Sequence, residues 1–148
     1  MNISIMITSL NRVEELRRTL AKLEALDPSP YEIWVVADGC TDNTVDYIRE
    51  YHPQVKIIEH ECSMGSVASR VEVMAQVTGD LVLALDDDSY PEQKDCLAKL
   101  SEWFEQNSQL AVATFPQRTD EYPVTLTQKD FGQTRRVRSF PNSGACFR

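Results

Sequence analysis

The sequence predicts an α/β fold, a three-layer sandwich in which a mostly parallel sheet carries helices on both faces. Short apolar runs alternate with stretches of helical periodicity over the first hundred residues. Turn residues separate them at the spacing of right-handed crossover units. Each apolar run also ends in polar or acidic residues, at the carboxyl ends of the strands where such sheets bind ligands.

The first strand covers residues 3–8, and from Asn11 onward Val13, Leu16, Leu20 and Leu23 recur at helical spacing. Pro28 and Pro30 stop that helix, and residues 33–37 form a second buried strand ending at Asp38-Gly39. Thr41 or Asp42 caps the next helix, which runs through Val45, Ile48 and Tyr51 to Pro53, and residues 55–59 are the third strand. Gly65 opens a helix with Val67, Val71, Met74 and Ala75 on one face, closed at Gly79. Residues 81–85 are a fourth strand whose five apolar residues deliver Asp86, Asp87 and Asp88 to the rim.

After Pro91, Leu97, Leu100, Trp103 and Phe104 mark an amphipathic helix, and residues 110–115 a further strand. Residues 116–138 are polar and weakly periodic, and residues 143–148 begin another element. No repeat, low-complexity tract or clear linker divides the chain. The end at Arg148, without a cap or polar tail, reads as a truncation. Trp34 and Trp103 fit core positions, and His52 and His60, lone histidines without partnered acids or cysteines, read as surface residues without a role.

A chain of 148 residues with 42% hydrophobic content supports one domain with a genuine core. Its net charge of -8, from 23 acidic against 15 basic residues, argues against general nucleic-acid binding. A small phosphate ligand remains compatible, because a bound metal and one or two basic side chains reverse the local sign. Cys40, Cys62, Cys96 and Cys146 are scattered without CxxC spacing and read as reduced structural thiols. The first residues lack a signal peptide's basic start and apolar length, and no run approaches the roughly 18 apolar residues of a membrane span. The expected compartment is the cytoplasm. Arg135-Arg136-Val137-Arg138 is a local basic cluster that reads first as a solvated loop, with a phosphate-bearing acceptor or the inner membrane face as alternatives.

The acidic run carries the chemistry. Mg²⁺ and Mn²⁺ prefer oxygen ligands and take one or two protein carboxylates, leaving positions for substrate phosphate oxygens. A nucleoside diphosphate fits that demand; the plain alternative is a solvated acidic turn. Asp38, at a strand end, can accept the imide N–H of a uracil or thymine ring, or cap the turn at Gly39. Thr8 can approach base or ribose, although it and Asn11 serve equally well as helix caps. Arg70 on its helix can bind diphosphate oxygens or remain an ordinary surface arginine.

In order along the chain, four motifs resemble those of the family 2 glycosyltransferases of the GT-A, Rossmann-like fold. Thr8-Ser9-Leu10-Asn11-Arg12 resembles the family's T-x-x-N-[RK] turn, and residues 37–44 resemble its DDGSTDGT signature. Residues 65–70 resemble the glycine and arginine of its third motif, and Gly79-Asp80 with residues 85–88 its GD…LDxD segment. The resemblance implies a nucleotide-sugar site containing Thr8, Asn11, Asp38, Arg70, Asp86 and Asp87, with Asp86 and Asp88 on Mn²⁺ or Mg²⁺. It implies residues 1–100 as the nucleotide-sugar-binding part and 101–148 as the start of an incomplete acceptor-side part.

The implied function is inverting transfer of a sugar, from a nucleoside-diphosphate donor favoured as UDP-linked, to a saccharide, lipid-linked or other hydroxyl acceptor. Peripheral membrane association and oligomeric state stay open. The alternatives are a non-catalytic nucleotide-sugar-binding module, a fragment lacking its base, and a haloacid-dehalogenase-like phosphatase with Asp86 as nucleophile and Asp88 as acid, which leaves the earlier motifs unexplained. Ala37, Cys40 and Val71 depart from the family pattern. Inverting members take a carboxylate general base from their second half. Asp120, Glu121 and Asp130 are acids without a recognisable base motif, so the base is unassigned.

Overall fold

Strands covered on both faces read as continuous apolar runs, and the two central strands do so here. The computed structural model describes residues 1–115 and 145–148. The described elements follow in the order β1 (Ile3–Ser9), α1 (Val13–Glu24), β2 (Glu32–Asp38), α2 (Thr44–Tyr51), β3 (Lys56–His60), α3 (Ser66–Met74), β4 (Leu81–Asp86), α4 (Cys96–Gln106), β5 (Val112–Thr114) and β6 (Ala145–Phe147). They build one sheet of order β3-β2-β1-β4-β6-β5. β1 pairs in parallel with both β2 and β4, and β2 with β3, while β6 lies antiparallel between β4 and β5. The expected mostly parallel α/β sandwich is therefore the observed fold.

Alternation along β1 and β4 sorts the two faces. Ile3, Ile5 and Ile7, with Leu81, Leu83 and Leu85, meet Leu16, Leu20 and Leu23 of α1, Ile48 of α2, and Leu97, Leu100 and Phe104 of α4. Burying each such side chain contributes about 1.5–3 kcal/mol, so this is the main core. The opposite face is thinner: Met6, Val36 and Val82 pack on Val73 of α3.

Helix α3 corrects the sequence reading. It ends at Met74 instead of Gly79, and its sheet-facing residues are Ser69 and Val73. Val67 and Val71, on the apolar face the spacing marks, are 75% and 66% exposed, and Met74 is exposed too. At about 100° per residue, Val67, Val71 and Met74 fall opposite the Ser69–Val73 line, with Arg70 and Glu72 on its two flanks. Those flanks are fixed by ion pairs, Arg70 to Asp86 and Glu72 to His60, and they set the helix rotation against its apolar stripe.

His52 is likewise buried, with its ring between Glu24 and the Tyr47 hydroxyl, so it is no surface residue. Trp34 and Trp103 pack at the edges of the two cores, as expected. The cysteines are free thiols, and burial pushes Cys96 up to about 11 and Cys146 up to about 12, which leaves both unreactive. Among the described residues no helix is long and apolar enough to cross a membrane.

At the amino ends of the strands, buried Glu32 accepts from Ser4 Oγ, Lys56 Nζ and the Thr78 N–H, each at 2.7 Å. Burial alone would raise its pKa, but these donors outweigh burial and draw it from 4.5 to about 2. A carboxyl depressed in the folded state contributes fully above its unfolded value and loses that contribution as pH falls toward the folded value. Glu32→Gln is therefore expected to cost about 2 kcal/mol at neutral pH, the scale of a charged hydrogen bond. Thermal melts between pH 2 and 7 should show the wild-type advantage shrinking progressively from pH 4.5 toward 2; an undiminished advantage at pH 2 would contradict this origin.

Candidate functional site

The chain leaves β1 for β2 on one side and returns from β3 to β4 on the other, so a crevice opens at the carboxyl ends of β1 and β4. In register there, Thr8 lies between Val36 of β2 and Asp86 of β4, and Asp38 pairs with His60 of β3. Thr8 is half-buried on the face that carries α3. Neighbouring residues in parallel register share a face, so Thr8 and Asp86 point the same way.

Three consecutive aspartates meet three environments. Asp86, the last residue of β4, projects on the α3 side, has a side chain 65% exposed, and pairs with Arg70. Asp87 turns to the opposite face, where its side chain is only 7% exposed. It accepts from Ser9 Oγ at 2.9 Å and faces Arg12 at 3.3 Å, while its carbonyl accepts from Thr19 Oγ1 of α1 at 2.7 Å. Burial raises the Asp87 pKa, opposed by Ser9 and Arg12. Asp88, just beyond the strand, is exposed and accepts from Arg12 Nη2 at 2.9 Å.

Asp38 is buried and saturated. Its Oδ1 faces His60 Nδ1 at 2.7 Å and accepts the Met64 N–H at 2.8 Å. Its Oδ2 accepts from Ser63 Oγ at 2.7 Å and from the Gly65 N–H at 2.9 Å. Burial acts to raise its pKa, but His60, the two amides and Ser63 hold the carboxyl well below the usual range. The turn beside it requires glycine: Gly39 has φ +78°, and a Cβ there would sit 2.5 Å from the Ser63 nitrogen.

Asn11 is a loop clasp in this structure. At φ 55°, its Oδ1 accepts from the Thr41 and Asp42 N–H groups at 2.7 and 3.1 Å, joining the β1–α1 and β2–α2 loops. Asp42 in turn accepts from the Thr44 N–H and hydroxyl at the start of α2, whose N-cap position is taken by Asn43 instead of the expected Thr41 or Asp42.

The geometry thus brings Thr8, Arg70, Asp86 and Asp88 to one rim, with Asp38 and His60 beside it, and turns Asp87 inward. Arg12 and His60 are additions. Arg12 was visible only as a motif letter, and His60 has its acids 22 and 12 positions away, so no local pattern could signal either. Asp120, Glu121, Asp130 and the basic cluster at Arg135, Arg136 and Arg138 lie outside the described residues. Among the described residues no group of three or more His, Cys, Asp or Glu is arranged to hold a metal ion. Asp86 and Asp88 offer two exposed carboxylates, a donor set that suits a hard cation completing its shell with substrate and water oxygens.

The model of the family "Glycosyl transferase family 2" matches residues 4–145. The chain belongs to this family. It is 27% identical over 158 residues to the uncharacterized glycosyltransferase YwdF of Bacillus subtilis, covering all of this chain and 58% of YwdF. Among solved structures it superposes on the mannosyltransferase PcManGT from Pyrobaculum calidifontis, in complex with GDP-Man and Mn²⁺, with a TM-score of 0.74 at 18% identity, over 99% of this chain and 44% of that one. It also superposes on S. aureus TarS 1-349 in complex with UDP-GlcNAc, with a TM-score of 0.73 at 22% identity, over 90% and 39% of the two chains. These structural likenesses establish the GT-A-type fold expected from the motifs. The chain spans less than two thirds of the length of each of these proteins.

The opposite settings of adjacent acids are open to test by chemical denaturation. Asp87→Ala is expected to destabilise the fold by about 3 kcal/mol, because it strips Ser9 and Arg12 of a buried partner. Asp86→Ala, at an exposed position, should stay within about 0.5 kcal/mol of wild type. Equal midpoints for the two variants would refute the inward clamp.

Proposed function

We propose that residues 1–100 bind the donor of an inverting glycosyltransferase, a nucleoside-diphosphate sugar with UDP favoured, and that residues 101–148 begin its acceptor side. The observation that carries this reading is the meeting of Arg70, Asp86, Asp88 and Arg12 at one crevice. Arg70 and Arg12 neutralise the two exposed acids in the unliganded chain. A divalent cation, Mn²⁺ or Mg²⁺, held by Asp86 and Asp88 would supply charge stabilisation to the departing diphosphate.

With the acids so engaged, Arg70 is free to turn its guanidinium fork toward phosphate oxygens, for which its planar donor set is suited, while Arg12 keeps its contact with Asp87. Thr8 lies between Val36 of β2 and Asp86 of β4, where a base or ribose contact is expected of it. Asp38 presents acceptor oxygens only, which suits the imide N–H of uracil and not the acceptor N1 of adenine. TarS bound to UDP-GlcNAc and PcManGT bound to GDP-Man with Mn²⁺ support a nucleotide-sugar donor and a divalent cation.

In the whole enzyme, an acceptor hydroxyl on a saccharide or lipid-linked molecule attacks the anomeric carbon opposite the leaving diphosphate, which inverts the centre. Arg70 stabilises the negative charge that develops on the leaving group. Deprotonating the acceptor is the task of a carboxylate base not yet assigned.

Calorimetry with UDP, Mn²⁺ and a chelator, with ADP as control, tests the reading. UDP is expected to bind only with the metal and in preference to ADP, and Asp88→Ala should abolish that binding while leaving the melting temperature close to wild type. Unchanged affinity in Asp88→Ala would remove Asp88 from the cation site, and equal binding of both nucleotides would undo the role of Asp38.

A further inference from the structure

Beside the crevice lies an ionic cluster of which the motifs name only the first member: Asp38 of β2, His60 of β3 and Glu72 of α3. The His60 ring has Nδ1 at 2.7 Å from Asp38 Oδ1 and Nε2 at 2.8 Å from Glu72 Oε2. An ionised carboxylate only accepts, so both ring nitrogens must donate, and the ring that satisfies both is the imidazolium. Its side chain is 8% exposed, so the two acids supply the compensation that water cannot. Of the neighbouring charges, Glu59 pairs with Arg49 of α2 and Arg70 with Asp86, and Glu61 is exposed.

The cluster matters because of what Asp38 holds. Its two oxygens carry four donors, which fills the acceptor capacity of a carboxylate. Two of those donors are backbone amides fixed at the entrance to α3. His60 is anchored on its far side by Glu72. The fourth, the hydroxyl of exposed Ser63, is the donor that can rotate away. A nucleobase N–H can take that place without disturbing the other three.

We propose that His60, as the imidazolium between Asp38 and Glu72, is a positioning residue for nucleobase recognition, holding the Asp38 carboxylate in the orientation that accepts the base N–H in exchange for the Ser63 hydroxyl. This rests on Asp38 being the base-recognising acid of the donor site. Neutral imidazole has a single N–H, so deprotonation sets a ring lone pair against one of the two carboxylates, and the ring leaves one of them. The bonds to Asp38 and Glu72 raise the His60 pKa above 6.5 against the opposing effect of burial. The positioning is therefore complete below 6.5 and is lost as pH rises through the raised value.

The test compares wild type with His60→Asn, which keeps one short donor toward Asp38 but has no charge and no reach to Glu72. Affinities for UDP and for inorganic pyrophosphate are measured with Mg²⁺ by calorimetry from pH 6.5 to 9. At pH 6.5 the variant is expected to bind UDP about tenfold more weakly, the effect of one charged hydrogen bond. That ratio should fall toward unity as pH rises, with pyrophosphate affinity equal in the two proteins throughout, because the loss is confined to the base. Equal UDP affinities at pH 6.5, a ratio independent of pH, or parallel loss of pyrophosphate would each overturn the positioning role while leaving the donor site standing. A wild-type protein that binds neither ligand would overturn the donor reading itself, and the positioning role with it.

Discussion

The inward turn of Asp87 is the constraint on which the rim depends. In a strand that pairs on both sides, successive residues must face opposite layers, and β4 is held in register against β1 by Ile3 through Thr8. Asp87 continues that alternation into the α1 layer, where Ser9, Arg12 and the Thr19 hydroxyl engage it. A shift of one residue would exchange Asp86 with Asp87 and bury the acid that should face the crevice. The clamp also ties the end of β4 to both ends of the β1–α1 loop, so the loop that carries Asn11 and Arg12 is placed by the same contact.

The second organising feature is charge kept in balance before any ligand arrives. Asp86 and Asp88 stand at a strand rim in a protein of net charge -8, yet each already holds an arginine from a different element, Arg70 from α3 and Arg12 from the start of α1. Exposed ion pairs of this kind contribute little to stability, about 0–1 kcal/mol, which makes them easy to exchange. Buried Asp38 is the opposite case. Its four donors are part of the fold, and they fix where α3 begins.

The fold was legible because its strands are buried on both faces and its turns are marked by Gly39, Gly65 and proline. Asp86, Asp88 and Asp38 were legible as motif members at strand ends, and Arg70 as a motif member on a helix. What the sequence hid were partnerships across the chain. Asn11 is separated from Thr41 and Asp42 by 30 and 31 positions, and periodicity carries no information about such contacts. The two histidines looked solitary for the same reason. Asp87 looked like its neighbours because three identical letters conceal a pleat that sends the middle one inward.

Helix α3 is where local pattern and tertiary structure disagree, and the disagreement has consequences for the site. An apolar stripe at helical spacing normally identifies the core face. Here Ser69, small and fully buried, lets the helix approach the sheet, and the flanking charges of Arg70 and Glu72 reach down to Asp86 and His60. The apolar residues Val67, Val71 and Met74 are left on the outer side, where they share with Met6, Phe147 and the stem of Arg70 the lining of a shallow groove. A guanidinium bordered by hydrocarbon is less screened than one in open water, so its attraction for an anion at the crevice is strengthened. The rotation of α3 that spoils its amphipathic pattern is thus the rotation that aims Arg70 at the acidic rim and Glu72 at the cluster behind it.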